Sequence, residues 1–174
     1  MFFLILLIII FFIFTFWTVL VGAGWEPTPM PVVYRMLSLA EVKPGDVVYD
    51  LGCGDGRVII TAVCKFGAQA VGIEIDPLRY FITRIRIRRR RLDSKIQLVW
   101  GNFIQQDLRS ATVVGIFLSS RANSRLEEKF SQELRPGTRI VSYYWPMKKW
   151  NPKFVDYENR IYLYQVPEEF SATD

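Results

Sequence analysis

The 174-residue chain has no histidine. This removes the commonest general base, and with it a Ser-His hydrolase or a His-ligated zinc site. Its two cysteines, Cys53 and Cys64, cannot make a disulfide framework or a thiolate metal cluster. Cys53 falls within a glycine turn that needs a small side chain, and Cys64 is expected to pack as a small hydrophobe. Internal repeats are absent. From Phe2 to Val21 there is no charge, no proline and no glycine. Acids are outnumbered, 17 against 22 Lys and Arg, giving a formal charge of +5. Every one of those bases follows the apolar segment.

The apolar segment is long enough to matter. At about 1.5 Å per residue it matches a hydrocarbon layer of about 30 Å. Residues 1–23 are therefore expected to be a transmembrane anchor, meeting the lipid bilayer through residues 2–22, with residues 24–174 as the second unit. A cleaved signal peptide ending at Val21-Gly22-Ala23 is the competing reading. Its apolar core is usually roughly 7–15 residues behind a positive n-region, whereas here the stretch is longer and no base precedes it. The positive-inside tendency places the rest of a single-pass chain in the cytoplasm.

Past the anchor, Pro27, Pro29 and Pro31 alternate, which reads as an extended connector leading into a helix over 32–40. Apolar runs over 47–51, 70–75, 96–100, 112–118 and 138–144 read as strands. Helical spacing covers 57–66 and 77–92, and a helix capped by Asn123 or Ser124 runs to Leu134. Two last strands, 153–157 and 161–166, flank the turn at Glu158-Asn159. Strands alternating with helices predict an α/β, Rossmann-like sheet of seven strands. It is mostly parallel, with helices on both faces and a C-terminal antiparallel hairpin.

Ligands of open α/β sheets lie beyond the carboxyl ends of the strands. There the sequence puts Asp50-Leu51-Gly52-Cys53-Gly54-Asp55-Gly56 after the first strand, Glu74-Ile75 after the second, and Gly101-Asn102-Phe103 after the third. The glycine spacing is G-x-G-x-G, tighter than the dinucleotide fingerprint. Gly52 and Gly54 let the backbone approach a ligand closely. An acid-rich turn from Asp50 to Asp55 suits a cation and repels a pyrophosphate. Glu74 can accept two ribose hydroxyls, Asn102 can hydrogen-bond an adenine, and Phe103 can pack on its face. Together these features describe a site for S-adenosylmethionine, a sulfonium nucleoside.

Asp-Leu-Gly-Cys-Gly-Asp-Gly-Arg, residues 50–57, resembles motif I of the class I (seven-strand) SAM-dependent methyltransferases. Between Glu26 and Val166 the chain is similar to the archaeal and mitochondrial protein lysine methyltransferases. The likeness is carried by Pro27-Thr28-Pro29, Val71-Gly72-Ile73-Glu74, Gly101-Asn102-Phe103, Leu134-Arg135-Pro136-Gly137-Thr138 and Trp150-Asn151-Pro152. It implies SAM as cofactor, bound by Asp50, Gly52 and Glu74, with Asn102 and Phe103 at the adenine. It also implies that Pro27-Thr28-Pro29 closes over the cofactor. Ser119–Ala122 and Tyr143–Pro146 depart from the family pattern, so the acceptor is less defined than the donor.

Methyl transfer needs positioning more than a strong base, which suits a chain without histidine. Tyr143, Tyr144 and Trp145 are candidates for an aromatic pocket that desolvates a lysine amine; packing in the core or at the sheet edge is their other reading. No Asn/Asp-Pro-Pro-Tyr follows the fourth strand, which disfavours nucleic-acid methylation. The arginines of Arg84–Arg91 suggest a solvated helix face or contact with anionic lipid headgroups, and RNA is disfavoured because no aromatics interleave with them. The sequence-level expectation is a membrane-anchored protein lysine N-methyltransferase acting on a protein at or near the membrane. Methylation of a membrane lipid or small amphiphile, and a non-catalytic SAM-binding scaffold, are the alternatives.

Overall fold

Val47–Leu51 forms β1 because a run of β-branched and aromatic side chains ends at a glycine turn. It lies near the centre of a seven-stranded sheet. The computed structural model describes residues 26–168, together with Phe2 and Ile5. Along the chain follow α1 (Met30–Leu39), β1, α2 (Arg57–Phe66), β2 (Gln69–Glu74), α3 (Pro77–Arg89) and β3 (Ile96–Trp100). After a single 3-10 turn come β4 (Val113–Ile116), α4 (Ser120–Glu133), β5 (Arg139–Tyr143), β6 (Phe154–Asp156) and β7 (Ile161–Gln165).

The strand order is β3-β2-β1-β4-β5-β7-β6. The first five strands are parallel, and β7 pairs antiparallel with both β5 and β6. The order reverses at β1, where β2 lies on one side and β4 on the other, so the crevice at its carboxyl end is a switch point. Alternation along each strand feeds two cores. Val48, Ala70, Ile96 and Val113 face α1, α2 and α3, which bring Val33, Met36, Ile59, Ala62 and Ile87. Tyr49, Leu51, Ile73, Val114 and Ile116 face α4, which brings Leu126 and Phe130.

Three expectations are corrected. Among the described residues no helix is long and apolar enough to cross a membrane. The longest, α4, has 14 residues, about 21 Å against the roughly 30 Å of a hydrocarbon layer. The single-pass membrane placement with a cytoplasm-facing domain falls with that finding; residues 1–23, expected as its anchor, lie outside the described residues apart from Phe2 and Ile5. Secondly, α4 starts before Asn123. Ser119 caps it, its Oγ accepting from the Ala122 N–H at 3.3 Å, and Asn123 is drawn inward as a fully buried side chain. Thirdly, Cys64 is exposed, not packed.

Candidate active site

The tips of β1, β2 and β3, the turns beyond β4 and β5, and the segment before α1 surround one cavity of about 370 Å³. This is within the size range of small-molecule sites. From the first turn, Asp50, Gly52, Cys53, Gly54 and Asp55 line it; from the second and third strand tips come Glu74, Ile75, Asn102 and Phe103; Pro27 and Thr28 lie on the same lining. Three residues expected at the site stand back from it: Gly56, Tyr143 and Tyr144 do not line the cavity, whereas Trp145 does.

Glu74 is the keystone of the donor wall. It is only 3% exposed. One carboxylate oxygen accepts the Gly54 N–H at 2.8 Å and the other the Asp76 N–H at 2.9 Å. Each oxygen keeps lone-pair capacity for a further donor. The turn is anchored from α3 as well. The Thr83 hydroxyl donates to the Gly54 carbonyl at 2.7 Å, and Arg86 Nη1 to the Asp55 carbonyl at 2.9 Å. Gly56 serves this packing, not a ligand. Its φ is +78°, and a Cβ there would come within 2.6 Å of the Thr83 methyl.

Asp55 does not supply free charge to the cavity, contrary to the acid-rich-turn argument. Arg57 pairs with it at 2.7 Å and Arg86 at 2.6 Å. Although burial opposes ionisation, hydrogen bonds from the two guanidiniums bring the Asp55 carboxyl down to about 2. Arg57 also donates to the Thr28 carbonyl at 2.7 Å, which ties the Pro27-Thr28 segment to the glycine turn. Among the described residues, Asp50 has no such partner. Burial first, and then the charges of Glu74 and Asp55, push its carboxyl up to about 7. A buried carboxylate beside another carboxylate fits a cationic ligand, the charge type of a sulfonium or an ammonium. The Cys53 thiol is pushed well up by burial and the same carboxylates, so it is no nucleophile. Asn102 Oδ1 accepts the Ile104 N–H at 3.0 Å, which leaves its amide N–H₂ free of that cap.

The opposite wall is aromatic. Phe117 and Leu118 follow β4, Ser119, Ala122 and Arg125 come from α4, and Trp145 follows β5. Tyr143 stacks against Phe117 from behind, with ring centroids 4.5 Å apart. Tyr144 has φ +71°, its N–H donates to the Arg160 carbonyl at 2.7 Å, and its ring packs on Trp145 at 5.1 Å. The Trp145 carbonyl accepts from Asn123 Nδ2 at 2.8 Å and from Ser142 Oγ at 2.6 Å. Asn123 Oδ1 is buried without a hydrogen-bond partner. One turn further along α4, the buried Glu127 accepts the N–H groups of Lys148 and Lys149. Two inward positions four residues apart on α4 thus hold the 145–149 loop, together with Ser142 from β5 and the Tyr164 hydroxyl from β7, which accepts the Met147 N–H at 2.9 Å.

Sequence reasoning set Ser119–Ala122 beside the acceptor but missed Glu26, Arg57, Val58, Arg79, Ile104, Phe117, Leu118 and Arg125 as cavity residues. A signal was present for Phe117 and Leu118: parallel strands all point their carboxyl ends one way, so the tip of β4 belongs beside the tips of β1 to β3.

Comparisons with known proteins agree with this geometry. The family model described as the ANTKMT methyltransferase domain matches residues 50–154. A protein-lysine N-methyltransferase of Saccharolobus islandicus (strain REY15A) is 43% identical over 151 residues, covering 83% of this chain and 94% of that protein. The adenine nucleotide translocase lysine N-methyltransferase of Mus musculus is 29% identical over 167 residues, covering 88% of this chain and 72% of that one. Among solved structures, an RNA methyltransferase from Salinibacter ruber in complex with S-adenosyl-L-homocysteine superposes with a TM-score of 0.82 at 39% identity. It covers 85% of this chain and 98% of its own. With a buried carboxylate pair suited to a cation, the cofactor is S-adenosylmethionine. The chain belongs to the ANTKMT methyltransferase domain family and, with it, to the SAM-dependent protein-lysine N-methyltransferases.

Proposed function

We propose that the protein transfers a methyl group from SAM to the ε-amine of a lysine in a protein substrate. The observation that carries this is the two-sided cavity. Carboxylates at the β1 and β2 tips face an aromatic wall of Phe117 and Trp145 across one space. In this reading Asp50 balances the cationic portion of the cofactor, Glu74 accepts its ribose hydroxyls, and Asn102 and Phe103 hold the adenine. Pro27 and Thr28, tied down through Arg57, cover it. When bound, SAM supplies an electrophilic methyl on sulfur.

The chain's own residues supply the rest. A lysine ammonium is normally deprotonated only near pH 10.4, and its nitrogen must be neutral to attack. Phe117 and Trp145 strip water from the amine, which favours the neutral form. They also hold the nitrogen in line at near-attack distance, which supplies much of the rate without a base. Two relatives whose names specify lysine N-methylation support the acceptor.

The Salinibacter ruber structure favours a second reading, RNA as acceptor. Against it, Phe117-Leu118-Ser119-Ser120 stands where the amino-methylating nucleic-acid enzymes usually carry Asn/Asp-Pro-Pro-Tyr. Incubating the full-length protein with a cell extract and methyl-labelled SAM tests both. Label in protein, recovered as methyl-lysine after hydrolysis, is the expected result. Label confined to RNA or to the lipid extract overturns it.

A further inference from the structure

The cavity's two walls differ in charge as well as in shape. Arg121 and Arg125 share an exposed face of α4, four residues apart, and Arg125 reaches the cavity lining. The loop pinned by Asn123 and Glu127 adds the exposed Lys148 and Lys149. Arg160 lies over the Tyr144 ring, 4.7 Å from its centre. Among the described residues, none of these five cations forms an ion pair. Nearby acids do not answer them. Glu127 is buried and occupied by main-chain N–H groups, and Glu128 accepts from Gln132. The bases that do pair, Arg35, Arg57, Arg86 and Arg139 among them, lie elsewhere. Among the described residues, Arg88–Arg91 at the end of α3 are likewise without an ion pair; what sets these five apart is their position around Trp145 and Arg125. The acceptor mouth is thus a rim of unanswered positive charge around an aromatic opening.

We propose that this rim recognises an acidic segment of a protein: the target lysine lies between Asp or Glu residues, whose carboxylates meet Arg121, Arg125, Lys148, Lys149 and Arg160. The proposal rests on the lysine reading above and narrows its substrate. A lysine in a basic stretch is repelled by the rim, while an acidic stretch is steered in and held by it. Flanking carboxylates bind at the rim, while the central amine enters the aromatic opening, where desolvation by Phe117 and Trp145 favours the neutral form and its proton passes to solvent. A phosphate chain fits less well. The inner wall it would approach carries Asp50 and Glu74, with Glu26 on the same lining, and these repel a polyanion while admitting a single amine.

Three peptides test this, each with one central lysine flanked by aspartate, serine or arginine. They are assayed with the full-length protein and labelled SAM at low and high salt. Two or three exposed charge pairs correspond to about a tenfold effect. The aspartate peptide is expected to have a KM about tenfold below the serine peptide, with the arginine peptide weakest and the gaps shrinking as salt rises. The double variant Arg121→Glu/Lys148→Glu takes most of the rim's net charge away and should close most of the gap between the aspartate and arginine peptides. Binding of S-adenosylhomocysteine, followed by calorimetry, checks that this variant is folded. Equal kcat/KM for all three peptides, or an undiminished gap between the aspartate and arginine peptides in the folded variant, overturns the rim as a selector while leaving lysine methylation standing. Competition by RNA but not by polyaspartate overturns the choice of partner. No label in any peptide or protein, with the cofactor still bound, overturns the lysine reading and this proposal together.

Discussion

Compare the wall built by the β1 and β2 tips with the wall built after β4 and β5. In the first, Glu74 is fixed by two main-chain N–H groups, and the turn beside it is held by Thr83 and Arg86 from α3. Its polar groups are buried and cross-braced, so the geometry is set before a ligand arrives. In the second, the tryptophan loop is held by Asn123 and Glu127 from α4, Ser142 from β5 and the Tyr164 hydroxyl from β7, while its cations face solvent. Changes to the first wall therefore disturb fold and cofactor together. Changes to the second alter the acceptor with the sheet left intact. Such a division lets one cofactor site serve different substrates, and it places the departures from the family pattern, Ser119–Ala122 and Tyr143–Pro146, on the side that is free to vary.

The sharpest way to break this contrast is Glu74→Ala. It leaves the Gly54 and Asp76 N–H groups without acceptors, at about 1–3 kcal/mol each, and removes the proposed ribose anchor. S-adenosylhomocysteine affinity should fall by about a hundredfold or more, and the melting temperature should fall with it. A change of less than about threefold by calorimetry would mean that Glu74 braces the turn and nothing else.

Asp50 gives the next largest effect, read through pH. In the ligand-free protein its carboxyl is pushed up to about 7, chiefly by burial and then by Glu74 and Asp55. Its folded value lies above its unfolded value, so the stability it contributes is present below the unfolded pKa and is lost as pH rises through 7. A cationic ligand favours the carboxylate and releases that proton. SAM affinity should therefore weaken as pH falls below 7, by up to about tenfold per unit. The thermal stabilisation by SAM should be larger at about pH 8 than at about pH 6. Calorimetry in buffers of different ionisation enthalpy should detect proton release on binding. Equal affinity at both pH values with no proton released would separate Asp50 from the cation.

These two predictions concern the wall that the sequence made legible. Asp50, Gly52, Glu74 and Asn102 could be located because each closes an apolar run, and runs of that kind give parallel strands whose tips converge. The mostly parallel sheet and the closing hairpin followed from the same alternation, whereas the spatial order of the strands did not. What the sequence could not reveal was side-chain pairing across distance. Asp55 looked like free charge beside Asp50 until Arg57 and Arg86 were seen to claim it, and the partner from position 86 reaches it from another helix. Asn123 looked like a cap because Ser119, Ser120, Asn123 and Ser124 are all good caps; only packing decides which one is turned inward. The three aromatics at 143–145 read as acceptor candidates with core or edge packing as the alternative, and alternation along β5 and the turn at Tyr144 divide them between the two: Trp145 lines the cavity and Tyr143 and Tyr144 do not.

On the second wall, effects should be smaller and confined to the acceptor. Trp145→Ala removes half of the aromatic pair at the mouth and should raise the acceptor KM by about tenfold, with cofactor affinity unchanged. Asn123→Ala keeps the indole but releases its carbonyl, and should raise KM by a smaller factor, about threefold to fivefold. Since Asn123 Oδ1 is buried without a partner, its removal sheds an unsatisfied group, and the stability loss should stay below about 1–2 kcal/mol. Thermal melts beside steady-state kinetics separate the two readouts. A collapse of cofactor binding in either variant would show that the walls are not independent.

The smallest effect expected is at Tyr144, and it bears on whether the ring belongs to the acceptor at all. Its φ of +71° is a left-handed conformation that costs a side-chain-bearing residue roughly 1–2 kcal/mol. Glycine relieves that strain but adds unfolded-chain entropy of roughly 0.5–1 kcal/mol, and it loses the ring's contacts with Arg160, worth about 0.5–1 kcal/mol at an exposed site, and with Trp145, worth about 0.5–1.5 kcal/mol. The losses slightly outweigh the relief, so Tyr144→Gly should destabilise by about 1 kcal/mol. Because Tyr144 does not line the cavity, its acceptor KM should rise less than that of Trp145→Ala. An equal or larger rise would mean that the aromatic wall extends outward past Trp145, with Tyr144 and the overlying Arg160 forming its outer edge.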